Sequence, residues 1–438
     1  MLNLQLIRAK ELDMTIFIFI GSLLALMALG MPIAFALLGC GIALMLHLDM
    51  FDAQIIAQNV IAGADSFPLM AVPFFMLAGE VMNAGGLSKR IVAVALGLVG
   101  HIKGGLGYVT IVAACILSAL SGSAVADAAA LSALLVPMMV SAGHDQKQSA
   151  GLVAAAGVIG PIIPPSIGFV IFGVAANLSI TKLFLAGIFP GLLVGLSLWI
   201  TWWWLIRKEN IQPPPKIPFS EVAKSLVDGF WALMLPLIII FGLKLGVFTP
   251  TEASVVAAVY AIFVATFIYR ELKLTQLMEL FSRAAQTTAI VMFLVAAAMV
   301  SAWLITVADL PSKVVDLLEP FMGNQILLMF AIMILVVIVG TAMDMIPTIL
   351  ILTPVLVPVV KQAGIDPIYF GVLFIINNSI GLITPPVGTV LNVVAGVTKT
   401  SMSDLMKGVM PFLIAELVIL LVMVLFPSLV TVPMRWFY

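Results

Sequence analysis

Charged side chains are scarce in this sequence. Only 9% of its 438 residues are Asp, Glu, Lys or Arg, whereas a soluble domain carries roughly 25%. The net charge of −1 gives no indication of a nucleic-acid surface. The two cysteines, Cys40 and Cys115, lie in apolar segments, where we expect them to be buried small hydrophobic side chains. The scarcity of charge excludes an ordinary soluble domain.

Motifs of familiar enzymes are also missing. The sequence contains no H-E-x-x-H and no G-x-x-x-x-G-K-[ST] phosphate loop, so we do not expect this chain to be an ATPase. Two acids in apolar surroundings, Asp127 and Asp344, raise the remote alternative of an intramembrane aspartyl protease. Such proteases place one acid in a Tyr-Asp pair and the other in a Gly-Leu-Gly-Asp turn, but here Asp127 follows Ala126 and Asp344 follows Met343. We therefore expect no enzyme activity.

Long apolar runs take up most of the chain, which is 63% hydrophobic. Runs such as Thr15–Leu46, Trp231–Val247 and Leu405–Phe426 are long enough to cross about 30 Å of hydrocarbon as helices. The tryptophan-rich segment "WITWWWLIRK" (Trp199–Lys208) resembles an aromatic belt at the membrane surface. The sequence therefore predicts an all-α, multi-pass membrane protein embedded in a lipid bilayer.

Two proline pairs interrupt apolar stretches in the same way, in "GPIIPPS" (160–166) and "GLITPPV" (381–387). They lie 221 positions apart, and glycines and prolines on both sides repeat at that offset without a gap. Glycine and proline fix backbone shape, so these matches indicate an internal duplication. The matching pairs are Pro137 and Pro358, Gly143 and Gly364, Asp145 and Asp366, Gly160 and Gly381, Pro164 and Pro385, Pro165 and Pro386, Gly187 and Gly408, and Pro190 and Pro411.

Each repeat also contains a short polar stretch between two apolar runs of about 15 residues, which predicts a re-entrant helical hairpin ahead of each broken helix. We place the hairpins at about 104–143 and 325–363, and the broken helices at about 146–178 and 366–398. The chain then divides into a cytoplasmic N-terminal extension (1–13), scaffold helices (14–66), a first repeat (67–206), a cytoplasmic linker (207–227), further scaffold helices (228–284) and a second repeat (285–436).

The positions of the basic residues orient this path. With the N-terminus in the cytoplasm and the C-terminus in the periplasm, only five of the 20 Lys and Arg residues lie outside: Lys182, Lys244, Lys313, Lys361 and Arg435. The two repeats then have opposite orientations in the membrane, as in many secondary transporters. We therefore expect an inverted-repeat transporter with two hairpins and two broken transmembrane helices.

The helix breaks predict paired cation sites. A proline pair leaves upstream carbonyls without donors, the end of a half-helix adds partial negative charge that suits Na⁺, and the next half-helix offers N–H groups to an anion. The first site is predicted to contain Ser121, Gly122, Ser123, Asp127, Gly160 and Pro164, the second Gly340, Thr341, Asp344, Gly381, Thr384 and Pro385, with Ser166, Asn378 and Gly388 lining the substrate between them.

Structural interpretations of the same residues stay open. A proline pair can be an ordinary kink, and Ser123 or Asp344 can simply cap a helix. Asn377 can serve helix packing as well as a site. Glu80 and Glu416 also lie at membrane depth, where an acid is a functional candidate, but neither adjoins a break.

Several motifs in order resemble the large membrane subunit of tripartite ATP-independent periplasmic (TRAP) transporters. They are "FPLMAVPFFMLAGEVMNAGGLSKR" (Phe67–Arg90), "SGSAVADAAA" (Ser121–Ala130), "GPIIPPS" and "GLITPPV", and the resemblance runs from Met14 to the C-terminus. It implies Na⁺-coupled uptake of an organic acid across the bacterial inner membrane by an elevator motion, with two or more coupling ions. It also implies a small four-helix membrane subunit and a periplasmic substrate-binding protein.

Two questions remain open at this point. A 13-residue extension is too short to hold the small subunit, so we expect that subunit to be a separate chain. A stand-alone sodium–carboxylate symporter remains the alternative, and it would not need a binding protein. The predicted sites contain no Arg, so sialic acid, keto-sugar acids and C4-dicarboxylates are all possible substrates.

Overall fold

The computed structural model describes residues 2–207, 209 and 218–436, and every regular element in these residues is helical. The helices are α1 (Leu2–Ala28), α2 (Ile33–His47), α3 (Ala53–Ala64), α4 (Ala71–Ala84), α5 (Leu87–Val99), α6 (Gly105–Ser121), α7 (Ala124–Ser141), α8 (Gln146–Gly157), α9 (Ile167–Ala176), α10 (Ile180–Ile206), α11 (Phe219–Lys244), α12 (Pro250–Phe263), α13 (Leu274–Val307), α14 (Leu310–Met322), α15 (Gln325–Ala342), α16 (Met345–Gln362), α17 (Pro367–Gly381), α18 (Thr389–Thr398), α19 (Met402–Leu425) and α20 (Ser428–Arg435). A 3-10 turn precedes α4, and a π-helical turn (Val264–Ile268) continues α12.

Nine helical segments in the described part of the chain are long and apolar enough to cross a membrane. They are the segment from the 3-10 turn through α4 (Phe67–Ala84), α7, α10, α11, α12 with its π-helical turn, α13, α15, α16 and α19. The prediction of an all-α, multi-pass membrane protein is confirmed.

The two hairpins are helix pairs joined by turns of only two residues. Helices α6 and α7 meet at Gly122–Ser123, and α15 and α16 meet at Met343–Asp344. The four helices have 17 or 18 residues, which is about 26 Å at 1.5 Å per residue. They are slightly longer than the expected runs of about 15 residues, and in α7 the alanines after Ser123 favour helix.

The two broken helices are interrupted at equivalent places in the two repeats. The first break lies between α8 and α9 (158–166), and the second lies between α17 and α18 (382–388). The Pro164–Pro165 and Pro385–Pro386 peptide bonds are both cis. Residues 158–166 and 382–388 are not α-helical, so the breaks are gaps and not kinks within a continuous helix.

The two repeats pack reciprocally. The second arm of the first hairpin, α7, contacts the half-helix α18 of the second repeat, and α16 contacts the half-helix α9 of the first. Likewise α8 contacts α19, and α17 contacts the corresponding helix α10. This exchange of equivalent contacts is the pattern that a pseudo-twofold axis between the repeats produces.

Three details differ from the sequence-based expectation. Helix α1 begins at Leu2, so residues 2–13 continue the first helix and do not form a separate segment. The linker predicted at 207–227 lies partly outside the described residues, and α11 begins within it at Phe219. Trp203 and Trp204 are exposed as in a belt, but Trp202 is fully buried and its Nε1 donates to the carbonyl of Gly104 at 2.9 Å.

Candidate functional site

The first hairpin tip lies directly against the first break. Gly122 has a left-handed φ of 60°, and a β-carbon added to it would lie 2.5 Å from the carbonyl oxygen of Pro165. A β-carbon added to Gly160 would lie 2.9 Å from Oδ2 of Asp127 and 3.0 Å from the backbone nitrogen of Ala124. Only glycine, which has no β-carbon, can be accommodated at these two close contacts. The structure thus brings the tip and break residues predicted for the first site together.

Asp127 is the buried acid of this site. Its Oδ1 accepts a hydrogen bond from Oγ of Ser121 at 2.5 Å, whereas its Oδ2 has no hydrogen-bond partner among the described residues. Ser123 caps α7, because its Oγ accepts from the backbone nitrogen of Ala126 at 3.4 Å. A buried carboxylate oxygen without a donor is costly, and a bound cation would remove that cost.

Ser166 makes hydrogen bonds within the first break. Its side chain is buried, its hydroxyl donates to the carbonyl of Pro161, and its Oγ accepts from the backbone nitrogen of Phe169 at 3.2 Å. It therefore caps α9. No hydrogen bond among the described residues reaches the carbonyls of Ile163 and Pro164, so these oxygens are free to coordinate a cation.

The second hairpin tip meets the second break through the backbone. A β-carbon added to Gly381 would lie 2.9 Å from the carbonyl oxygen of Gly340. The backbone nitrogen of Val387 donates to the carbonyl of Thr341 at 3.4 Å. Pro385, predicted for this site, is half-buried in the same break. Tip and break are again in direct contact.

The two threonines predicted for the second site both donate a hydrogen bond to the backbone of the preceding helix residues. Oγ1 of Thr341 donates to the carbonyl of Ile338, and Oγ1 of Thr384 donates to the carbonyl of Ile380, each at 2.8 Å. A hydroxyl that donates in this way keeps its acceptor lone pairs. Both oxygens can therefore still accept a cation.

Asp344 immediately precedes α16, and its carboxylate is engaged by a residue that the sequence analysis did not single out. Oγ1 of Thr389, the first residue of α18, donates to Oδ1 of Asp344 at 3.2 Å. The available signal was a hydroxyl residue three positions after Pro386, at the start of the half-helix. Asp344 does not form the usual N-cap hydrogen bond of α16, and its contact with Thr389 of another helix makes it more than a simple cap.

The three predicted substrate-lining residues are all buried. Asn378 is buried, its Nδ2 donates to the carbonyl of Phe374 at 2.8 Å, and its Oδ1 has no partner among the described residues. Gly388 begins the second half-helix with a left-handed φ of 48°. The Ser166 hydroxyl already hydrogen-bonds to Pro161 and Phe169 in the first break. These three positions stay predictions as substrate contacts.

The two acids do not occupy equivalent positions. Helices α7 and α16 begin 221 residues apart, at Ala124 and Met345. This offset pairs Ser123 with Asp344, both directly before a helix, and pairs Asp127 with Thr348, in the first turn. Oγ1 of Thr348 donates to the carbonyl of Asp344 at 2.9 Å. The pseudo-symmetry therefore relates the two backbones, whereas the two carboxylates occupy different positions.

The two tip regions are neighbours. A β-carbon added to Gly168, in the first turn of α9, would lie 3.2 Å from Cε of Met345, the first residue of α16. Among the described residues no group of three His, Cys, Asp or Glu side chains could hold a metal ion. Each candidate site instead offers one carboxylate, hydroxyls and unpaired carbonyls, a donor set that suits a hard cation.

Comparison with known proteins identifies the family. Residues 20–429 match the family described as tripartite ATP-independent periplasmic transporter, DctM component. The chain is 58% identical over 423 residues to the 2,3-diketo-L-gulonate TRAP transporter large permease protein YiaN of Escherichia coli K12, covering 97% of this chain and 100% of that protein. It is 39% identical over 405 residues to the sialic acid TRAP transporter large permease protein SiaM of Vibrio cholerae, covering 92% and 95%.

A solved structure shares the fold at low identity. The Alcanivorax borkumensis YdaH transporter, described as having an unusual topology, superimposes with a TM-score of 0.63 at 16% identity and covers 86% of this chain and 89% of its own. At this identity the likeness shows a shared overall fold. The family match and the relative with 58% identity show that the chain belongs to the DctM family of TRAP transporter large permease proteins.

Proposed function

We propose that this chain carries an organic acid into the cell across the bacterial inner membrane, coupled to Na⁺. The relative with 58% identity is described as a 2,3-diketo-L-gulonate transporter, and others are described as sialic acid or C4-dicarboxylate transporters. All three substrates are organic acids. The first similarity favours a keto-sugar acid as the substrate here.

The proposal of Na⁺ coupling rests on the unpaired oxygens at the two breaks. In secondary transporters, unwound backbone carbonyls and half-helix ends hold the coupling ion. We assign Oδ2 of Asp127 and the carbonyls of Ile163 and Pro164, which lack hydrogen-bond partners among the described residues, to one such group, and Asp344 with the second break to another. Two breaks support at least two ions.

The fold supports opposite orientation of the repeats and movement of the hairpins and broken helices against the scaffold, as an elevator. Ser141 and Gln362 are exposed, lie at the ends of α7 and α16, and are 221 positions apart. Single cysteines at these two positions, without Cys40 and Cys115, test the orientation. An impermeant thiol reagent added to spheroplasts should label Gln362→Cys and spare Ser141→Cys; labelling of both would contradict it.

Two partners follow from the family: a small membrane subunit as a separate chain, and a periplasmic binding protein that delivers the acid. The test is uptake into liposomes that contain this chain with its small subunit. Binding protein loaded with labelled 2,3-diketo-L-gulonate is added outside together with an inward Na⁺ gradient. We expect uptake that stops when K⁺ replaces Na⁺ and when the binding protein is omitted. Uptake without binding protein would favour the stand-alone symporter. Uptake that persists in K⁺ would contradict the assignment of Na⁺ as the coupling ion.

A further inference from the structure

A cavity of about 390 Å³ lies away from the two tip sites. One wall is formed by α3 and α13, and the other by the end of α9 and by α16. We call it the Lys361 cavity and define it by Asn59, Asn177, Trp303, Thr306, Thr353 and Lys361. Its volume falls within the range of small-molecule sites, about 300–1,000 Å³.

One buried hydroxyl in this cavity lacks a partner. Thr353 is fully buried, and its Oγ1 has no hydrogen-bond partner among the described residues. Buried hydroxyls are nearly always hydrogen-bonded, so this one points to a ligand or water in the cavity. At the equivalent position of the first repeat, Oγ of Ser132 donates to the carbonyl of Ala128. The unpaired hydroxyl is therefore specific to the second repeat.

The cavity has a single cationic group. Lys361, in the last turn of α16, is exposed and makes no ion pair with any residue that the structure describes. Its equivalent in the first repeat is Val140. A lone ammonium at the mouth of a partly closed cavity attracts anions. The positive charge, like the unpaired hydroxyl, occurs in only one half of the duplication.

Most of the remaining lining is apolar, and a few polar groups stand among it. Oγ1 of Thr306 donates to the carbonyl of Ala302 at 3.0 Å and keeps its acceptor sites. Asn59 donates from Nδ2 to the carbonyl of Ile55 at 2.9 Å, which leaves its Oδ1 as an acceptor for ligand hydroxyls. Trp303 adds an apolar wall. One cation with several hydroxyl and amide groups fits a small hydroxylated carboxylic acid.

We propose that the Lys361 cavity is an entry site for the organic acid, with the substrate carboxylate on Lys361 and a substrate hydroxyl on Thr353. The inference rests on the proposed function, because the orientation proposed there places Lys361 and the end of α13 on the periplasmic side. The acid released by the binding protein would meet this cavity before it reaches the tip sites. The cavity lies between α13, which precedes the second hairpin, and α16 of that hairpin, so relative movement of the two helices would open or close it.

The test measures protection of a cysteine in the cavity. Thr306→Cys is introduced without Cys40 and Cys115, and the complex with its small subunit is labelled with an anionic methanethiosulfonate. Then 2,3-diketo-L-gulonate, sialic acid and succinate are titrated separately as protecting ligands. We expect one acid to protect Thr306→Cys, and Lys361→Gln to raise the concentration for half-protection about tenfold, because the ammonium group that pairs with the carboxylate is removed.

Two further variants decide the assignment. Thr353→Val should weaken protection while leaving the labelling rate of the empty protein unchanged, whereas Lys313→Gln, which removes a charge on the same predicted side outside the cavity, should change neither. If the acid that the complex transports gives no protection, or if protection is the same in Lys361→Gln, the entry site is wrong although the transport function stands. If liposomes show no uptake of any acid, the proposed function fails, and the protection result alone decides whether the cavity binds acids.

Discussion

The two helix breaks have the same design but different surroundings. Every residue from Gly160 to Ser166 is buried, and Ser166 makes hydrogen bonds within the first break. In the second break, Pro386 and Val387 are exposed, and the equivalent of Ser166 is Val387, which has no hydroxyl. The duplicated backbone therefore provides one dry site and one site that reaches the surface.

This difference has an electrostatic consequence. The attraction between a carboxylate and a cation grows as the effective dielectric constant falls. Asp127 in the dry site should therefore contribute more to Na⁺ affinity than Asp344, which is half-buried and already accepts a hydrogen bond from Thr389. If each break holds a Na⁺ ion as proposed, the exposed second break is better placed to exchange that ion with solvent. Substitutions at the two breaks can test this ranking.

The largest effect is expected for Gly160→Ala. The new methyl group would lie 2.9 Å from Oδ2 of Asp127 and would fill the space beside its unpaired oxygen. Because the neighbouring atoms are buried backbone and a fixed carboxylate, they cannot move aside cheaply. We expect Na⁺-dependent uptake in liposomes to fall by more than about tenfold, while the protein still elutes as a folded complex in size-exclusion chromatography.

Gly396→Ala is the matched control, because nothing lies within 4 Å of a β-carbon at that helical position. It should leave uptake unchanged. Equal activity of Gly160→Ala and Gly396→Ala would show that the space next to Asp127 is not used by an ion.

The second prediction concerns Asp127→Asn. Asparagine keeps the shape and can still accept the hydrogen bond from Ser121, but it removes the full negative charge from the dry site. A charge–charge contact at about 3 Å with an effective dielectric constant near 20 is worth several kcal/mol before desolvation. We expect the Na⁺ concentration for half-maximal uptake to rise by about tenfold or more. A half-saturation within about twofold of the parent would mean that carbonyls and hydroxyls alone hold the ion.

Asp344→Asn should have a smaller effect of the same kind. The site is partly exposed, so solvent screens the lost charge, and the amide oxygen can still accept from Thr389. We expect the Na⁺ half-saturation to rise about threefold, which is under 1 kcal/mol. Thr389→Val in the same assay separates loss of the hydroxyl from loss of charge. If Asp344→Asn has a larger effect than Asp127→Asn, the second site is the stronger one and the ranking of the two breaks is reversed.

The sequence predicted the breaks and hairpins because their causes are local. Proline pairs cannot continue a helix, and the 221-residue offset of Gly160 and Gly381 is readable without a structure. The contact between Asp344 and Thr389 was not predictable, since it depends on how α18 packs against the hairpin tip. Burial of Trp202 was missed for a similar reason: its partner, the carbonyl of Gly104, lies 98 positions earlier in the chain.

The smallest effect is expected for Glu416→Gln, at a position where the two repeats differ completely. Glu416 is fully buried in α19, and neither carboxylate oxygen has a hydrogen-bond partner among the described residues. The equivalent residue 221 positions earlier is Gly195. An ionised acid without a partner at membrane depth is very costly, so the side chain should be neutral, and glutamine preserves its size and neutrality.

We therefore expect Glu416→Gln to keep the Na⁺ half-saturation within about twofold and to melt in detergent at the parental temperature. Glu416→Ala is the comparison that removes volume; it should lower the melting temperature, because a buried side chain is lost. A tenfold rise in the Na⁺ requirement of Glu416→Gln, with an unchanged melting temperature, would contradict the interpretation that the Glu416 side chain is uncharged. That result would mean that the second repeat binds a cation at Glu416 as well as at its tip, so that the repeats differ in the number of ions they hold and not only in exposure.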